Sequence, residues 1–414
     1  MGDNNGHSRG MALVSKTLHM KRYGNIYGNL CSYANLELAF RKARKGKTAK
    51  HYVVEFEKNL KDNLLLLRTE LLLHCYSPHP LVHFIVKDPK TRKISKSAFK
   101  DRIVHHALCN IIEPLFENTF IHDSYANRKG KGTLNAIKRF DGCKRTVSKN
   151  NTLPCYVLKA DIRKYFDNVD HSTLLSIIKK RVKDAKIMWL IRKIFSNYHA
   201  GGGESSPQEV EGSANLRFAG LSSQARKGMP LGNLTSQFFA NVFLNELDQF
   251  VKHKLKATYY IRYVDDFVIL HNNKGLLEHY KWEIQNFLKT IKLELHPDKS
   301  KIILLNKGVT FLGYRIFSHH KLLKKSNLRK FRRELAEEID AVQHGDLPYD
   351  TLLDRMHGWL EYSRWANTHA LRNFILSEVA ATLEHNIADR DIDRWLKCLK
   401  KRPQPTGQPP TVVI

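Results

Sequence analysis

The sequence has few of the features that mark secreted, zinc-binding or membrane-spanning proteins. No run approaches the roughly eighteen apolar residues of a membrane span, and Met1 to His7 lack the apolar core of a signal peptide. The cysteines contain no Cys-x-x-Cys pair, which argues against a zinc ribbon or a disulfide framework. They are Cys31, Cys75, Cys109, Cys143, Cys155 and Cys398. We therefore expect a protein of the reducing cytoplasm with no membrane partner.

Acidic residues are scarce as well. The 414 residues include 69 Lys and Arg against 40 Asp and Glu, which gives a formal net charge of +29. A surplus of this size indicates a polyanionic partner, because Lys and Arg that neutralise phosphates release counterions and gain affinity. A merely basic, soluble protein is the alternative. The length predicts two or three lobes.

Two of the few acidic residues are adjacent in the sequence. Asp265 and Asp266 lie within Tyr259–Leu270, whose alternating apolar residues predict a β-hairpin with the acids at its tip. Asp is depleted in strands and adjacent carboxylates repel, so a bound divalent cation would stabilise the pair. Asp161, at the end of another predicted strand, supplies a third carboxylate. A solvated Asp-Asp turn is the alternative.

Periodicity predicts several further elements. A single helix is expected from Tyr52 to Leu73, and a basic hairpin begins near Leu81. The segments Leu293–Lys301 and Val309–Phe317 are expected to form two strands around a turn. Residues 198–227, rich in Gly and Ser, are expected to form a mobile surface insertion.

The C-terminal part is expected to be helical with a basic groove. Lys321–Arg333 carries seven basic residues and no acid, ahead of an amphipathic helix. Trp359, Tyr362 and Trp365 can stack on bases, but their spacing favours packing within a helix core.

Four stretches occur in an order that is typical of one enzyme family. They are Asp161 with Phe166, Pro230–Asn241, Tyr263–Asp266 and Phe311–Tyr314. Together they resemble the motifs of a reverse transcriptase, over about residues 23 to 373. The resemblance implies an α+β right-hand polymerase with an antiparallel palm sheet. The implied parts are an N-terminal extension (1–22), fingers with the start of the palm (23–154), a palm with the insertion (155–320), a helical thumb (321–400) and a disordered tail (401–414).

The resemblance also implies roles for individual residues. Asp161, Asp265 and Asp266 would be catalytic and, with Ile162, would hold two Mg²⁺ ions, for which Mn²⁺ can substitute. The expected nucleotide-binding residues are Arg92, Phe166, Leu231, Gly232, Gln237 and Lys299, with Phe166 under the sugar. Lys301 is the alternative to Lys299 as the residue near the pyrophosphate. The expected primer grip is Phe311, Leu312 and Gly313. The residues expected to contact nucleic acid are Arg128, Lys129, Lys131, Lys324, Lys325 and Arg329.

One motif separates branches of this family. Leu231-Gly232 and Ser236-Gln237 stand where most reverse transcriptases carry Gln-Gly and Ser-Pro, and this pattern is similar to that of diversity-generating retroelements. That resemblance implies an enzyme that copies a template RNA into cDNA, with errors opposite template adenine, to diversify a target gene. The implied partners are template RNA, cDNA primer, dNTPs and a small basic oligomeric accessory protein.

Other functions are compatible with the same motifs. A group II intron or phage-defence reverse transcriptase is the near alternative, although an intron protein would be expected to append DNA-binding and endonuclease segments after about Asn373. A non-catalytic RNA-binding scaffold is the alternative from another class. The three intact carboxylates argue against a scaffold, which has no need of them.

Overall fold

The computed structural model describes residues 21–87, 91–198 and 227–382. Nearly all of the predicted N-terminal extension and insertion, and the whole predicted tail, therefore lie outside the described residues.

The N-terminal part is mainly helical and carries one β-hairpin. Its elements are α1 (Tyr27–Leu30), α2 (Tyr33–Arg44), α3 (His51–Lys58), α4 (Leu60–Leu72), β1 (Val82–Val86), β2 (Arg92–Lys96), α5 (Phe99–Glu117) and α6 (Thr133–Val147).

The prediction of a single helix over Tyr52–Leu73 is wrong, because the helix is interrupted at Asn59. This residue has φ −121° and ψ 45° and separates α3 from α4. Asn favours such non-helical backbone because its side chain competes for local hydrogen bonds. The Asn63 amide then donates to the Phe56 carbonyl at 2.9 Å.

The central part is built on a four-stranded antiparallel sheet in the order β4-β5-β3-β6. Its elements are β3 (Tyr156–Asp161), α7 (Tyr165–Asn168), α8 (His171–Lys179), α9 (Ala185–Ser196), α10 (Leu234–Gln249), a π-helical turn (Phe250–Lys254), β4 (Tyr260–Tyr263), β5 (Asp266–His271), α11 (Lys274–Thr290) and β6 (Lys301–Leu304).

Hydrophobic cores cover both faces of this sheet. Along β5, Phe267 and Ile269 belong to a core built largely from α1 to α5 and α8 to α11. Val268 and Leu270 belong to a second core that includes α6 and the C-terminal part. Successive side chains of a strand point to opposite faces, so a strand buried on both sides reads as a continuous apolar run.

The C-terminal part joins a small antiparallel sheet to three helices. Its elements are a 3₁₀ turn (Leu305–Lys307), β7 (Val309–Phe311), β8 (Tyr314–Ile316), β9 (Lys321–Leu323), α12 (Lys325–Gln343), α13 (Tyr349–Ser363) and α14 (His369–Thr382). In α13, the Trp359 ring stacks on Phe331 with centroids 4.3 Å apart, as the packing prediction requires.

Two strand predictions in this region are wrong. Val309–Phe317 is a hairpin rather than one strand, because Leu312 and Gly313 take φ values of 45° and 87° and reverse the chain. Within Leu293–Lys301 only Lys301 lies in a strand. Leu is rare at positive φ, so the apolar pattern favoured a continuous strand although Gly313 is a turn signal.

The described helices include none with the length and apolarity needed to cross a bilayer. The five cysteines in the described ranges are free.

Candidate active site

The sheet brings the three predicted acids together. Asp161 ends β3 and is the register partner of Asp266 at the start of β5. Asp265 lies in the turn between β4 and β5, and its carbonyl accepts the Ile162 N–H at 3.2 Å. The strands thus fix the backbone of all three acids, as the hairpin prediction requires.

The turn that carries Asp265 has a strained backbone. Val264 has φ +53°, which is unfavourable for a β-branched residue. The Arg262 guanidinium donates to the Val264 carbonyl at 3.2 Å. Arg262 is itself fully buried and forms a two-bond ion pair with Asp248, at 2.7 and 2.6 Å.

Sequence reasoning missed this buried arginine. Its signal was a lone cation within the apolar alternation of β4, preceded in α10 by Asp248. A charge is rarely fully buried without a partner, so the pair could have been sought.

The acids make a crowded, electronegative site. Burial raises the pKa of the Asp265 carboxyl and the neighbouring Asp161 carboxylate adds to the rise, while Lys299 and Arg92 oppose it. The Lys299 ammonium lies 2.9 Å from Asp161 Oδ1. Both predicted cations therefore lie within electrostatic reach of the acids.

The environment of Asp266 perturbs its carboxyl strongly. Burial raises its pKa to about 7, although Lys159, with its Nζ 3.9 Å from Asp266 Oδ2, opposes the rise. Asp266 Oδ1 is buried without a hydrogen-bond partner among the described residues. A charged oxygen left unpaired in this way is unfavourable unless a cation approaches it.

The loop before α10 is fixed to the β1–β2 hairpin. The Leu231 carbonyl accepts the Ser95 N–H at 2.9 Å, and Asn233 Oδ1 accepts the Ser97 hydroxyl at 2.8 Å. Gly232 has φ +110°, and an added Cβ would lie 2.9 Å from Ile94 Cγ2. Arg92 and Leu231 therefore belong to one structural unit, and glycine is required between the loop and β2.

Phe166 lies beside the same loop. Its carbonyl accepts, at 2.7 Å, the N–H of Met229, which lies two residues before Leu231. Its ring is partly exposed and meets Tyr165 edge-on at 5.3 Å. Tyr165 is anchored in turn, because its hydroxyl donates to the Ala240 carbonyl at 2.9 Å.

Comparison with known proteins decides the family. Residues 85–316, more than half of the chain, match the family model described as reverse transcriptase (RNA-dependent DNA polymerase). The chain belongs to the reverse transcriptase family. The right-hand polymerase fold class predicted from the motifs is therefore confirmed, whereas the exact partition into fingers, palm and thumb stays a prediction.

Curated relatives agree with this assignment. Protein YkfC of Escherichia coli is 28% identical over 292 residues, covering 61% of this chain and 71% of that protein. The group II intron-encoded protein LtrA of Lactococcus lactis is 24% identical over 309 residues, covering 58% of this chain but only 47% of that protein. The family match identifies the enzyme class as RNA-directed DNA polymerase.

A solved structure, that of apo telomerase from Candida tropicalis, resembles the chain with a TM-score of 0.46 and 13% identity, covering 78% of this chain and 62% of that one.

The donor set of this reverse transcriptase suits a hard divalent cation. Among the described residues, no group of three or more His, Cys, Asp or Glu side chains is in a ready metal-holding arrangement. The unpaired Asp266 oxygen and the raised pKa values of Asp265 and Asp266 nevertheless mark carboxylates whose charge the neighbouring lysine and arginine side chains only partly offset. The buried Ile162 side chain has no donor atom, so only the backbone carbonyl of this residue could join them.

The predicted primer-grip turn is held by the C-terminal helices. The Gly313 carbonyl accepts the Tyr362 hydroxyl and the Lys324 N–H, each at 2.9 Å. The Phe311 side chain is fully buried against Phe140, with ring centroids 5.9 Å apart. Leu312 and Gly313 therefore form the accessible part of this turn.

The basic residues predicted to contact nucleic acid divide into two groups. Lys324, Lys325, Arg329 and Lys129 are exposed. By contrast, Arg128 pairs with Glu117 at 2.7 Å and donates to two backbone carbonyls, while Lys131 donates to the His122 carbonyl at 2.9 Å. Because the Arg128 donors are engaged within the protein, the geometry favours a structural role for Arg128 over phosphate contact, whereas the Lys131 ammonium uses one of its three donors in this bond.

Proposed function

We propose that this reverse transcriptase copies the template RNA of a diversity-generating retroelement into cDNA, with errors concentrated opposite template adenine. The supporting observation is that the three carboxylates lie within electrostatic reach of Arg92, and that the Arg92 strand is hydrogen-bonded to the Leu231 loop. The Leu231-Gly232 and Ser236-Gln237 pairs supply the resemblance to that branch.

In this proposal the acids bind divalent cations. Asp161 and Asp265 are the principal ligands, with Asp266 and the Ile162 carbonyl in support. When bound, two such ions supply Lewis-acid stabilisation of the attacking 3′-hydroxyl and the leaving pyrophosphate. Mg²⁺ is the expected ion because all the donors are oxygen atoms, and Mn²⁺ is the expected substitute.

The surrounding residues orient the incoming dNTP. Arg92 offers a planar fork of donors to the triphosphate, and Lys299, which pairs with Asp161 in the structure, contacts the pyrophosphate. Phe166 excludes a ribose 2′-hydroxyl by contact with its ring. Gly232 lets the backbone approach the nucleotide closely, and Gln237 lies one helical turn further on.

The proposed infidelity depends partly on Leu231. A glutamine at this position could hydrogen-bond and hold the templating base pair in register, whereas leucine offers only dispersion contact. One such hydrogen bond is worth about 0.5–1.5 kcal/mol, or about tenfold in discrimination. Leu231 alone therefore cannot account for a strongly mutagenic enzyme, and Arg92 is the second residue that we expect to contribute.

The proposed partners are a structured template RNA and a small basic oligomeric accessory protein that assists priming. The support for the RNA is the net charge of +29, which exceeds what a short primer–template duplex would neutralise. The accessory protein is carried over from the resemblance alone.

Primer extension on a defined RNA tests the polymerase. Wild type should incorporate dNTPs, whereas Asp265→Asn should abolish synthesis and leave RNA binding largely intact. Residual synthesis within about tenfold of wild type would contradict the catalytic role of Asp265. A wild type inactive with every proposed partner present would favour the non-catalytic scaffold.

Sequencing of the cDNA tests the branch. Wild type should misincorporate opposite adenine, and Leu231→Gln should lower that error rate. Equal rates in the two proteins would show that Leu231 does not govern fidelity. Uniformly low errors in wild type would contradict the mutagenic assignment.

The second candidate is an intron-type reverse transcriptase. The similarity to LtrA favours it, although the alignment spans less than half of that protein. Accurate copying of an intron RNA by wild type would support this function over the retroelement one.

A further inference from the structure

A basic cavity lies away from the predicted primer grip. It has a volume of about 640 Å³ and is formed by α6, the turn between β8 and β9, and the loop between α13 and α14. The β7–β8 turn that contains Gly313 and the turn at residues 317–320 lie at opposite ends of β8. The cavity is therefore separated from the grip by the length of that strand.

Positively charged side chains dominate the lining of the cavity. Five Lys or Arg side chains and three histidines are opposed by a single acid, Asp141. The five are Lys144, Arg145, Lys321, Arg364 and Arg372.

Asp141 cannot neutralise this cluster by itself. It pairs with Lys321, and its other oxygen lies 3.6 Å from the Lys144 ammonium. Burial lowers the pKa of Lys144, an effect that Asp141 opposes and Lys321 increases. An anionic ligand would stabilise these partly buried cations.

Two further features suit a nucleotide chain rather than a single small anion. Arg364 Nε is buried without a hydrogen-bond partner among the described residues, although another nitrogen of its guanidinium pairs with Glu361. Trp365 is partly exposed, with the Lys138 ammonium 4.6 Å from its ring centroid. Unpaired bases stack on aromatic rings, and basic side chains around such a ring neutralise the neighbouring phosphates. The volume lies in the range of pockets that hold ligands larger than one phosphate.

We propose that this cavity binds an unpaired segment of RNA that lies outside the primer–template duplex. The proposal rests on the proposed function, because it takes the ligand to be part of a long template RNA. Arg145 and Arg364 contact backbone phosphates, and Trp365 stacks on a base. The site tethers the template while the catalytic site copies another part of it.

Charge reversal at Arg145 tests the cavity without disturbing the core, because this side chain is exposed. Arg145→Lys keeps the charge. Arg192→Glu is the matched control, since Arg192 is also exposed and helical but lies in α9, outside the cavity. The probes are a short RNA–DNA primer–template duplex, the same duplex with a single-stranded RNA extension, and the duplex with a DNA extension. Fluorescence anisotropy over a salt series gives each affinity.

Arg145→Glu should lower affinity for the RNA-extended duplex by about tenfold and reduce the salt slope by about one, as for loss of one phosphate contact. Arg145→Lys should bind as wild type. Arg192→Glu should change affinity by less than about twofold, because screening weakens distant exposed charges. Binding and extension of the bare duplex should be unchanged in all variants.

Equal losses for Arg145→Glu and Arg192→Glu would overturn the proposal in favour of a diffuse charge effect. Equal loss with the bare duplex would place the cavity on the primer–template path, and equal loss with the DNA extension would refute an RNA site. If wild type fails to extend the bare duplex, the polymerase function fails. The affinity comparison still reports on the cavity in that case.

Discussion

Replacing Arg262 by methionine perturbs the support of the catalytic turn while keeping most of the side-chain volume. The guanidinium is fully buried, and its two-bond pair with Asp248 is supplemented by contacts to Ser124 Oγ at 3.1 Å and Asn241 Oδ1 at 3.2 Å. A further bond, to the Val264 carbonyl at 3.2 Å, reaches the turn itself. Methionine would remove all of these donors together.

The stability change can be worked from these contacts. Removing one partner of a buried ion pair costs about 3–5 kcal/mol, because the other charge stays buried and unpaired. Changing Asp248 to leucine in the same protein removes that unpaired charge. The double variant then has the cost of the Tyr260 hydroxyl, which donates to Asp248 at 2.8 Å, about 1–3 kcal/mol, in place of the cost of the unpaired charge. The loss of the other Arg262 donors is common to both variants. The double variant should therefore be more stable than Arg262→Met alone.

Catalysis should not recover in parallel. Both variants lack the donor to the Val264 carbonyl, so the strained turn that carries Asp265 loses one of the hydrogen bonds that fix it. A hydrogen bond from a charged donor is worth about 1.5–3 kcal/mol, which corresponds to a fall in kcat of about ten- to a hundredfold. Urea unfolding and single-turnover primer extension at 25 °C separate the two effects. A double variant that regains both stability and wild-type kcat would refute the positioning role of Arg262.

Three further results are expected. Phe166→Ala should admit ribonucleotides in a competition assay against dNTPs, and unchanged selectivity would remove the proposed sugar contact. Gly313→Ala should weaken primer binding severalfold, because Gly313 has φ +87° and an added Cβ would lie 2.6 Å from Tyr362 Oη. Gly358→Ala serves as the neutral control, because a Cβ added there would have nothing within 4 Å. Affinity for RNA should fall by at least about tenfold between 50 and 200 mM salt, and salt-independent binding would contradict the electrostatic account.

The sequence predicted the parts of the site that depend on simple periodicity. Strands β3, β4 and β5 alternate side chains between two faces, so the position of Asp161 and the Asp265-Asp266 turn followed from counting residues. The division of α3 from α4 at Asn59 was not predictable in this way, because the apolar repeat continues through it.

Periodicity could not predict which basic side chains point to solvent and which bond within the protein. Lys129 and Arg128 are adjacent and equally basic, yet one is exposed and the other is bound to Glu117 and two carbonyls. The tertiary partner decides between these outcomes, and it lies in α5, outside the local sequence pattern. The same limit hid the pairing of Arg262 with Asp248.

The placement of the acids is coupled to both hydrophobic cores. Because β5 sends Phe267 to one core and Val268 to the other, a slip of one residue between β3 and β5 would exchange the two sets and separate Asp266 from Asp161. Register is therefore enforced by packing on both faces rather than by attraction between the acids, which repel each other. The Arg262 backbone adds a third constraint, since its N–H and C=O bond to Asp123 and Tyr125 at 2.9 and 3.0 Å. Three independent sets of contacts thus hold carboxylates in an arrangement that their own charges oppose.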